Sequence, residues 1–385
     1  MTDLSAQRAW ISRLVGYDTT SSRSNLELIE DIETYLSTFD ITSVRVENDD
    51  RTKSNLYAVI GPQTSGGVVL SGHTDVVPVD GQDWSSDPFV VQERDGKLFG
   101  RGVADMKTFS AIALSLLPEM LAADLKRPII LALSYDEEIG CLGAPRMISE
   151  IVDHVPAPSA VIVGEPTNMR VIDGHKGIAS FRVKVTGFTT HSSQTDRGVS
   201  AVEAAARIIT KISDIRAANE AAADPQSPFH PPYSTMTVNV VRGGTQLNIM
   251  AADASFDFDM RCVPGDDVNA LTDLIQDEID RVEALMRQRA PSCSIDIERM
   301  TNAPTLSPRK DNPAADLAKS ITGDNATGVV SYAAEAGQFQ EAGFSTVICG
   351  PGSIDQAHQA DEFITLDQVA KGVEFQRKLL TRLAR

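Results

Sequence analysis

Short apolar runs bounded by turn residues alternate with stretches of helical length along the first half of the chain. Apolar runs at 54–61, 66–73, 127–138 and 159–166 predict buried strands, and a further one lies at 345–350. Amphipathic or apolar stretches at 5–15, 25–39 and 108–123 predict helices. Helices that alternate with uniformly apolar strands indicate an α/β fold whose mostly parallel sheet is covered on both faces.

The pattern changes to a period of two near residue 178. Alternating segments at 178–187, 233–242, 253–261 and 294–300 predict half-exposed strands, and 199–222 and 268–289 predict helices. The order β-α-β-β-α-β is typical of a small two-layer α+β domain of ferredoxin-like type. We therefore expect an insert at 178–301 within a catalytic domain formed by 1–177 and 302–385.

Composition narrows the class of protein. A chain of 385 residues is long enough for two cores, and its net charge of −18 disfavours nucleic acid and anionic membranes as partners. The four cysteines are far apart with no CxxC pair, which argues against a disulfide framework or a thiolate metal site. The N-terminal segment lacks a signal-peptide apolar stretch, and no run is long enough to span a bilayer. These features predict a cytoplasmic protein.

The first chemically loaded segments are SGHTDVVP and GRGVADMK. His73 and Asp75 are two positions apart, so in an extended segment both side chains point the same way. A carboxylate beside an imidazole often fixes the orientation of a metal-binding histidine. Asp105 could bridge two cations with its two oxygens, or it could simply cap the following helix.

Further acids and a histidine follow other predicted strands. Glu137 and Glu138 stand at the end of the apolar run 127–138, where one could bind a metal and the other could take a proton from water. A solvated strand end is the alternative. Glu165 follows the next strand, and His358 lies in a Gly/Pro loop after the last one. Carboxyl ends of strands meet at one edge of an α/β sheet, so together these residues predict a zinc pair bound by nitrogen and oxygen donors.

The order of five motifs, SGHTDVVP, RGVADMK, DEEIG, GEPT and GPGSIDQAHQADEF, resembles the acetylornithine deacetylase and succinyl-diaminopimelate desuccinylase group of co-catalytic zinc metallopeptidases. The resemblance covers nearly the whole chain. It implies that His73, Asp105 and Glu165 hold one metal and that His358, Asp105 and Glu138 hold the other. It further implies Glu137 as general base, Asp75 as the residue that orients His73, and a cis peptide bond after Asp105.

The implied reaction is hydrolysis of N-acetyl-L-ornithine to L-ornithine and acetate, a step of arginine biosynthesis. Two divalent ions, zinc or alternatively cobalt, would activate a bridging water molecule while Glu137 takes its proton. A desuccinylase, an aminoacylase or a dipeptidase of the same family remains an alternative. A protein that binds a small molecule without metals or catalysis is the alternative from a different class.

The resemblance also extends to the insert, to which it gives lid and dimerisation roles. It implies His191 as oxyanion partner, often across a homodimer, and Asn248 and Arg261 as substrate-binding residues. Glu335 is a further candidate, for the ammonium of the ornithine side chain, on charge alone. The chain departs from many relatives at Thr108, where they have glycine, and in the segment TTHSSQTD.

Overall fold

The computed structural model describes residues 3–385, which divide into two compact units. The first unit comprises the chain up to Gly174 with Leu306–Val329 and Ala334–Arg385, and the second comprises His175–Thr305 with Val330–Ala333. The helices are α1 Ser5–Val15, α2 Leu26–Ser37, α3 Lys107–Ser115, α4 Leu117–Ala122, α5 Ala144–His154, α6 Ala201–Ala221, α7 Val268–Arg289, α8 Pro313–Thr322, α9 Ala336–Glu341 and α10 Leu366–Leu383.

Fifteen strands lie within the described residues. They are β1 Ser43–Glu47, β2 Ser54–Ile60, β3 Val68–His73, β4 Gln92–Arg94, β5 Lys97–Phe99, β6 Ile129–Ser134, β7 Ala160–Pro166, β8 Ile172–His175, β9 Gly177–Thr186, β10 Thr235–Gly243, β11 Asp253–Cys262, β12 Ser294–Ala303, β13 Gly328–Val330, β14 Thr346–Gly350 and β15 Phe363–Thr365. None of the helices within residues 3–385 is both long and apolar enough to cross a membrane.

The first unit is built on an eight-stranded sheet in the order β1-β2-β6-β3-β7-β14-β8-β13. Its central strands β6, β3, β7 and β14 are parallel, and the pairs β1–β2, β2–β6 and β14–β8 are antiparallel. Every residue of the four central strands is buried, so both faces of the sheet are covered. This confirms the predicted α/β class and its apolar strands.

Two local predictions in this unit were wrong. The stretch 108–123 forms two helices rather than one, because Pro118 stands in the first turn of α4 and cannot continue the hydrogen bonding of α3. The apolar run predicted to continue as a strand through 138 leaves the sheet after Ser134. Beyond it the backbone of Asp136 has a φ of 58°, a left-handed conformation that ends the extended segment.

The second unit is an antiparallel four-stranded sheet, β10-β11-β9-β12, with α6 and α7 packed against it. Alternate residues of β9 and β11 are buried, which produces the period of two in the sequence. The predicted order β-α-β-β-α-β is confirmed. The lid and dimerisation roles given to the segment 178–301 stay predictions.

A small sheet that the sequence pattern did not indicate, β15-β5-β4, lies within the first unit. Strands β5 and β15 are antiparallel, with Phe99 opposite Phe363. This pairing brings together the segment that follows Phe99 and the segment that precedes Phe363. The first carries Asp105 and the second carries His358.

Candidate metal centre

The predicted ligands gather where the central strands end. His73 is the last residue of β3, Glu165 lies near the end of the neighbouring strand β7, and Glu137 and Glu138 follow β6 on the other side of β3. Close approach of the chain at this edge requires glycine, because a Cβ on Gly350 would lie 1.9 Å from the main-chain oxygen of Gly164. Parallel strands thus deliver ligands that are distant in sequence to one place.

The two oxygens of Asp105 face two different histidines. Its Oδ1 lies 3.1 Å from Nε2 of His73, and its Oδ2 lies 3.0 Å from Nε2 of His358. The same nitrogen of His358 lies 3.0 Å from Oε2 of Glu138, and that of His73 lies 3.9 Å from Oε1 of Glu165. Asp105 therefore lies between two sets of nitrogen and oxygen donors.

Within the described residues, two groups of three side chains could each hold a metal ion. They are His73 with Glu137 and Glu165, and His73 with Asp105 and Glu138, and in each group the ligand atoms lie within 4.8 Å of one another. Oε1 of Glu165 is buried and has no hydrogen-bond partner within residues 3–385. Imidazole nitrogens and carboxylate oxygens are the donors that zinc and related divalent ions use.

The electrostatics of the cluster also fit a bound cation. Burial, together with the negative charge of Asp105, raises the pKa of Glu138 to about 7. Burial raises the pKa of Glu165 and of Glu137 well above the usual range, and neighbouring carboxylates add to both shifts. Buried acids that repel one another in this way are stabilised in their charged form by a divalent ion.

Asp75 contacts His73 and also the turn that carries Glu137 and Glu138. Its Oδ1 accepts a hydrogen bond from the main-chain NH of Glu137 at 3.1 Å, and its Oδ2 accepts from that of Glu138 at 3.2 Å and from the hydroxyl of Ser21 at 2.7 Å. Nδ1 of His73 lies 2.9 Å from the main-chain oxygen of Asp75 and 3.7 Å from its carboxylate. The carboxylate thus fixes the turn that carries Glu137 and Glu138, a contact that sequence spacing did not predict.

Two residues close to the cluster have polar groups directed into the protein interior. Cys141, which sequence reasoning did not single out, is buried and its Sγ donates to Oε1 of Glu137 at 3.3 Å. Glu335 is only 1% exposed, and burial raises the pKa of its carboxyl to about 7. Its Oε1 has no hydrogen-bond partner among the described residues. The implied cis peptide bond between Asp105 and Met106 is present.

The other candidate residues lie in the second unit. Nδ1 of His191 is 2.8 Å from the hydroxyl of Ser193, and the main-chain NH of Ser192 donates to the carbonyl of Asn248 at 3.0 Å. The structure therefore brings the segments of His191 and Asn248 together. Arg261 lies at the end of β11, where its Nε donates to Oδ2 of Asp259 at 3.0 Å.

Metal-free protein should become less stable as the pH rises from about 5 to about 8. The pKa of Glu138 is raised from 4.5 to about 7, and hydrogen bonds to Asp105 and Glu138 raise the pKa of His358 from 6.5 to about 10. Between about pH 5 and about pH 8 these two groups bind more protons in the folded chain than in the unfolded chain, so the free energy of unfolding falls with rising pH. Urea unfolding of chelated protein at pH 5.5 and 8.0 measures this slope.

Added zinc should stabilise the protein more at pH 8.0 than at pH 5.5, because protons compete with the metal for the same ligands. The variant Glu138→Gln should show a shallower slope than the wild type, since one of the titrating groups is lost. Metal-free stability that rises from pH 5.5 to 8.0 would contradict the prediction.

The chain is similar in sequence to curated acetylornithine deacetylases and similar in structure to a metallo-carboxypeptidase. Acetylornithine deacetylase of Proteus mirabilis (strain HI4320) is 33% identical over 351 residues, 91% of this chain and 88% of that protein. Acetylornithine deacetylase of Salmonella paratyphi B is 36% identical over 314 residues, 82% of this chain and 79% of that protein. An M20 family metallo-carboxypeptidase from Sulfolobus solfataricus has a similar structure, with a TM-score of 0.78, 16% identity and 100% coverage of both chains.

The α/β sheet, with histidines and carboxylates gathered where its central strands end, has the donor set of a metal-dependent hydrolase. More particularly, the chain belongs to the peptidase family M20/M25/M40, whose match covers residues 69–382. The predicted family is thereby confirmed, and the chain is a hydrolase that acts on amide bonds.

Proposed function

We propose that this hydrolase is a two-metal deacetylase that converts N-acetyl-L-ornithine and water to L-ornithine and acetate, a reaction of arginine biosynthesis. The observation that carries the choice of substrate is the 33% to 36% identity, over most of the chain, to proteins named acetylornithine deacetylase. The proposed compartment is the cytoplasm, in keeping with cysteines that are all free.

The proposed metal ligands form two sets that share one carboxylate. His73, Asp105 and Glu165 would hold the first divalent ion, and His358, Asp105 and Glu138 would hold the second. The position of Asp105 between Nε2 of His73 and Nε2 of His358 supports this division. Bound zinc or cobalt ions would lower the pKa of a water molecule and polarise the acyl carbonyl.

Glu137 is the proposed general base. Its carboxylate accepts the proton of the attacking water and then passes it to the nitrogen of the leaving amine. Two contacts support this role, because the main-chain NH of Glu137 is held by Asp75 and its Oε1 is held by the thiol of Cys141. The raised pKa of its carboxyl also suits a group that must hold a proton between the two steps.

The proposed substrate-binding roles follow the family resemblance for three residues and charge for the fourth. Nε of Arg261 donates to Asp259, and its two Nη groups are the proposed fork for the α-carboxylate of the substrate. His191 is the proposed donor to the oxyanion, supplied across a homodimer formed through the second unit, and Asn248 beside it is a second donor. Glu335, a buried acid whose Oε1 lacks a hydrogen-bond partner in the part of the chain that the structure describes, is the proposed partner of the ornithine side-chain ammonium.

The test is a deacylation assay on metal-loaded and chelated protein with four amides. These are N-acetyl-L-ornithine, N-succinyl-diaminopimelate, N-acetyl-L-methionine and a simple dipeptide. We expect metal-dependent turnover with kcat/KM for N-acetyl-L-ornithine at least about tenfold above the others, since one well-placed charged contact contributes about 1.5 to 3 kcal/mol. The variant Glu335→Gln should raise KM for N-acetyl-L-ornithine and leave that for N-acetyl-L-methionine unchanged.

Preference for another amide would overturn the proposed substrate while keeping the metal-dependent reaction. No turnover of any amide by protein with two bound metals would overturn the enzymatic proposal in favour of a binding protein.

A further inference from the structure

Glu362 is a buried acid that no step of the proposed reaction uses. It lies four residues after His358 and immediately before β15, and it is 1% exposed. In the sequence it is one of two acids in the motif HQADEF, and neither spacing nor periodicity distinguishes it from its half-buried neighbours. What distinguishes Glu362 in the folded protein is the set of hydrogen-bond donors around its carboxylate.

The carboxylate of Glu362 accepts four hydrogen bonds from the segment that leads to Asp105. Its Oε1 accepts from the main-chain NH groups of Ala104 at 2.8 Å and Asp105 at 3.1 Å. Its Oε2 accepts from the main-chain NH of Gly102 at 3.1 Å and from Nη1 of Arg101 at 2.8 Å. Each oxygen is therefore saturated by two donors of the protein. A carboxylate occupied in this way does not bind the metals itself.

The main chain joins the same two segments. The NH of Gly100 donates to the carbonyl of Glu362 at 3.0 Å, next to the strand pair in which Phe99 is opposite Phe363. The segment from Gly100 to Asp105 and the segment from His358 to Glu362 thus leave the strand pair side by side. Glu362, at the end of the second segment next to β15, thus binds the end of the first segment that carries Asp105.

A second path leads back to His358. Nη2 of Arg101 donates to Oε1 of Gln82, and Nε2 of Gln82 donates to the main-chain carbonyl of His358 at 2.9 Å. Arg101 itself is 1% exposed, so its ion pair with Glu362 is shielded from water. The network therefore holds the backbone of both Asp105 and His358, each of which has its side chain in the proposed second metal site.

We propose that Glu362 is a positioning residue that builds the second metal site by fixing the backbone of Asp105 against the segment of His358. The inference rests on the proposed function for the existence of two metals, but it does not depend on the substrate. Partners behind the ligands of a metal commonly set its affinity, and their loss lowers that affinity about 10- to 100-fold.

The experiment compares binding of Co²⁺ to metal-free wild type and Glu362→Gln by titration calorimetry and visible absorption. Glutamine has the same shape, but the NH2 group of its amide would replace one carboxylate oxygen. It would then face two N–H groups that now donate to that oxygen. We expect the wild type to bind two ions, and Glu362→Gln to lose about 10- to 100-fold in affinity at the second site. The loss at the first site should be smaller, because the network holds two ligands of the second site but only Asp105 of the first. kcat should fall by a similar factor with little change in KM.

Two further variants keep the test decisive. Glu362→Asp retains the charge opposite Arg101 but is too short to reach all four donors, so it should show the same selective loss even if Glu362→Gln does not fold. Arg101→Met combined with Glu362→Gln removes the unpaired buried charge. Continued loss of the second site in this double variant supports positioning, whereas its recovery would mean that Glu362 only neutralises Arg101 and would overturn the inference.

The matched control is Glu119→Gln, which breaks a two-bonded ion pair with Arg377 elsewhere in the first unit. It should bind both ions as the wild type does. Wild-type affinity at both sites in Glu362→Gln or Glu362→Asp would overturn the inference, whatever the protein hydrolyses. Conversely, failure of the wild type to deacetylate N-acetyl-L-ornithine would overturn the proposed substrate and leave the metal titrations interpretable.

Discussion

Replacing Glu137 by glutamine should lower kcat about 100- to 10,000-fold, the range that a positioned general base contributes. Glutamine keeps the size of the side chain and can still accept the thiol hydrogen bond of Cys141, but it cannot take a proton from water. Steady-state kinetics on the best substrate of the assay measures the effect. KM and the number of bound metals should stay close to the wild-type values, because His73 and Glu165, which could also hold a metal together with Glu137, have Asp105 as their third ligand in the proposed set.

The neighbouring acid supplies a matched control. Asp136 belongs to the same run of three acids, but its carboxylate pairs with Lys53 instead of entering the cluster. Its left-handed backbone conformation also tolerates asparagine. Asp136→Asn should therefore keep kcat within about fivefold of wild type, because the lost ion pair does not touch the reacting atoms and about 1 kcal/mol on the barrier corresponds to about fivefold in rate. Similar losses in both variants would refute the assignment of the base.

Asp105→Asn should reduce kcat/KM about 1,000-fold or more and lower the metal content of the purified protein. Asparagine offers one weak oxygen donor, whereas the carboxylate of Asp105 presents one oxygen to each of the two histidines. A catalytic metal contributes several kcal/mol to the transition state, and each 1.36 kcal/mol, approximately, is a factor of ten in rate. Metal analysis after gel filtration, together with kinetics in added zinc, measures both effects.

Asp31→Asn is the control for this prediction, because Asp31 pairs with Arg13 on the surface of the same unit. It should retain two metals and wild-type turnover. An Asp105→Asn protein that binds two metals with unchanged affinity would show that the shared carboxylate is not needed, and the proposed division of ligands would then be wrong.

The regular elements were largely predictable because their signal is local. Helix α7 has the predicted bounds, and helix α1 also begins and ends where its apolar pattern does. In the second unit, alternation of buried and exposed residues along β9 follows directly from packing one face of the sheet on helices. The small sheet β15-β5-β4 escaped prediction, because strands of three residues are too short to show a period.

Errors arose where a single residue or a distant contact outweighed the local pattern. Pro118 divides an apolar stretch that otherwise reads as one helix. The turn after β6 is held by the carboxylate of Asp75, which binds the main-chain NH groups of Glu137 and Glu138. No local pattern in the segment 127–138 contains that contact, because Asp75 lies more than 60 residues earlier in the chain.

The sequence by itself determined the fold class, the change to a hydrophobic period of two that marks the predicted insert, and the residue types that could bind metal. These properties depend on hydrophobic spacing and on side-chain chemistry. Only the tertiary structure decided which groups meet. Asp105 lies between His73 and His358 because parallel strands and the β5–β15 pair bring three distant segments together. Glu362 became visible for the same reason, since its four donors are more than 250 residues away along the chain and adjacent only in the folded protein.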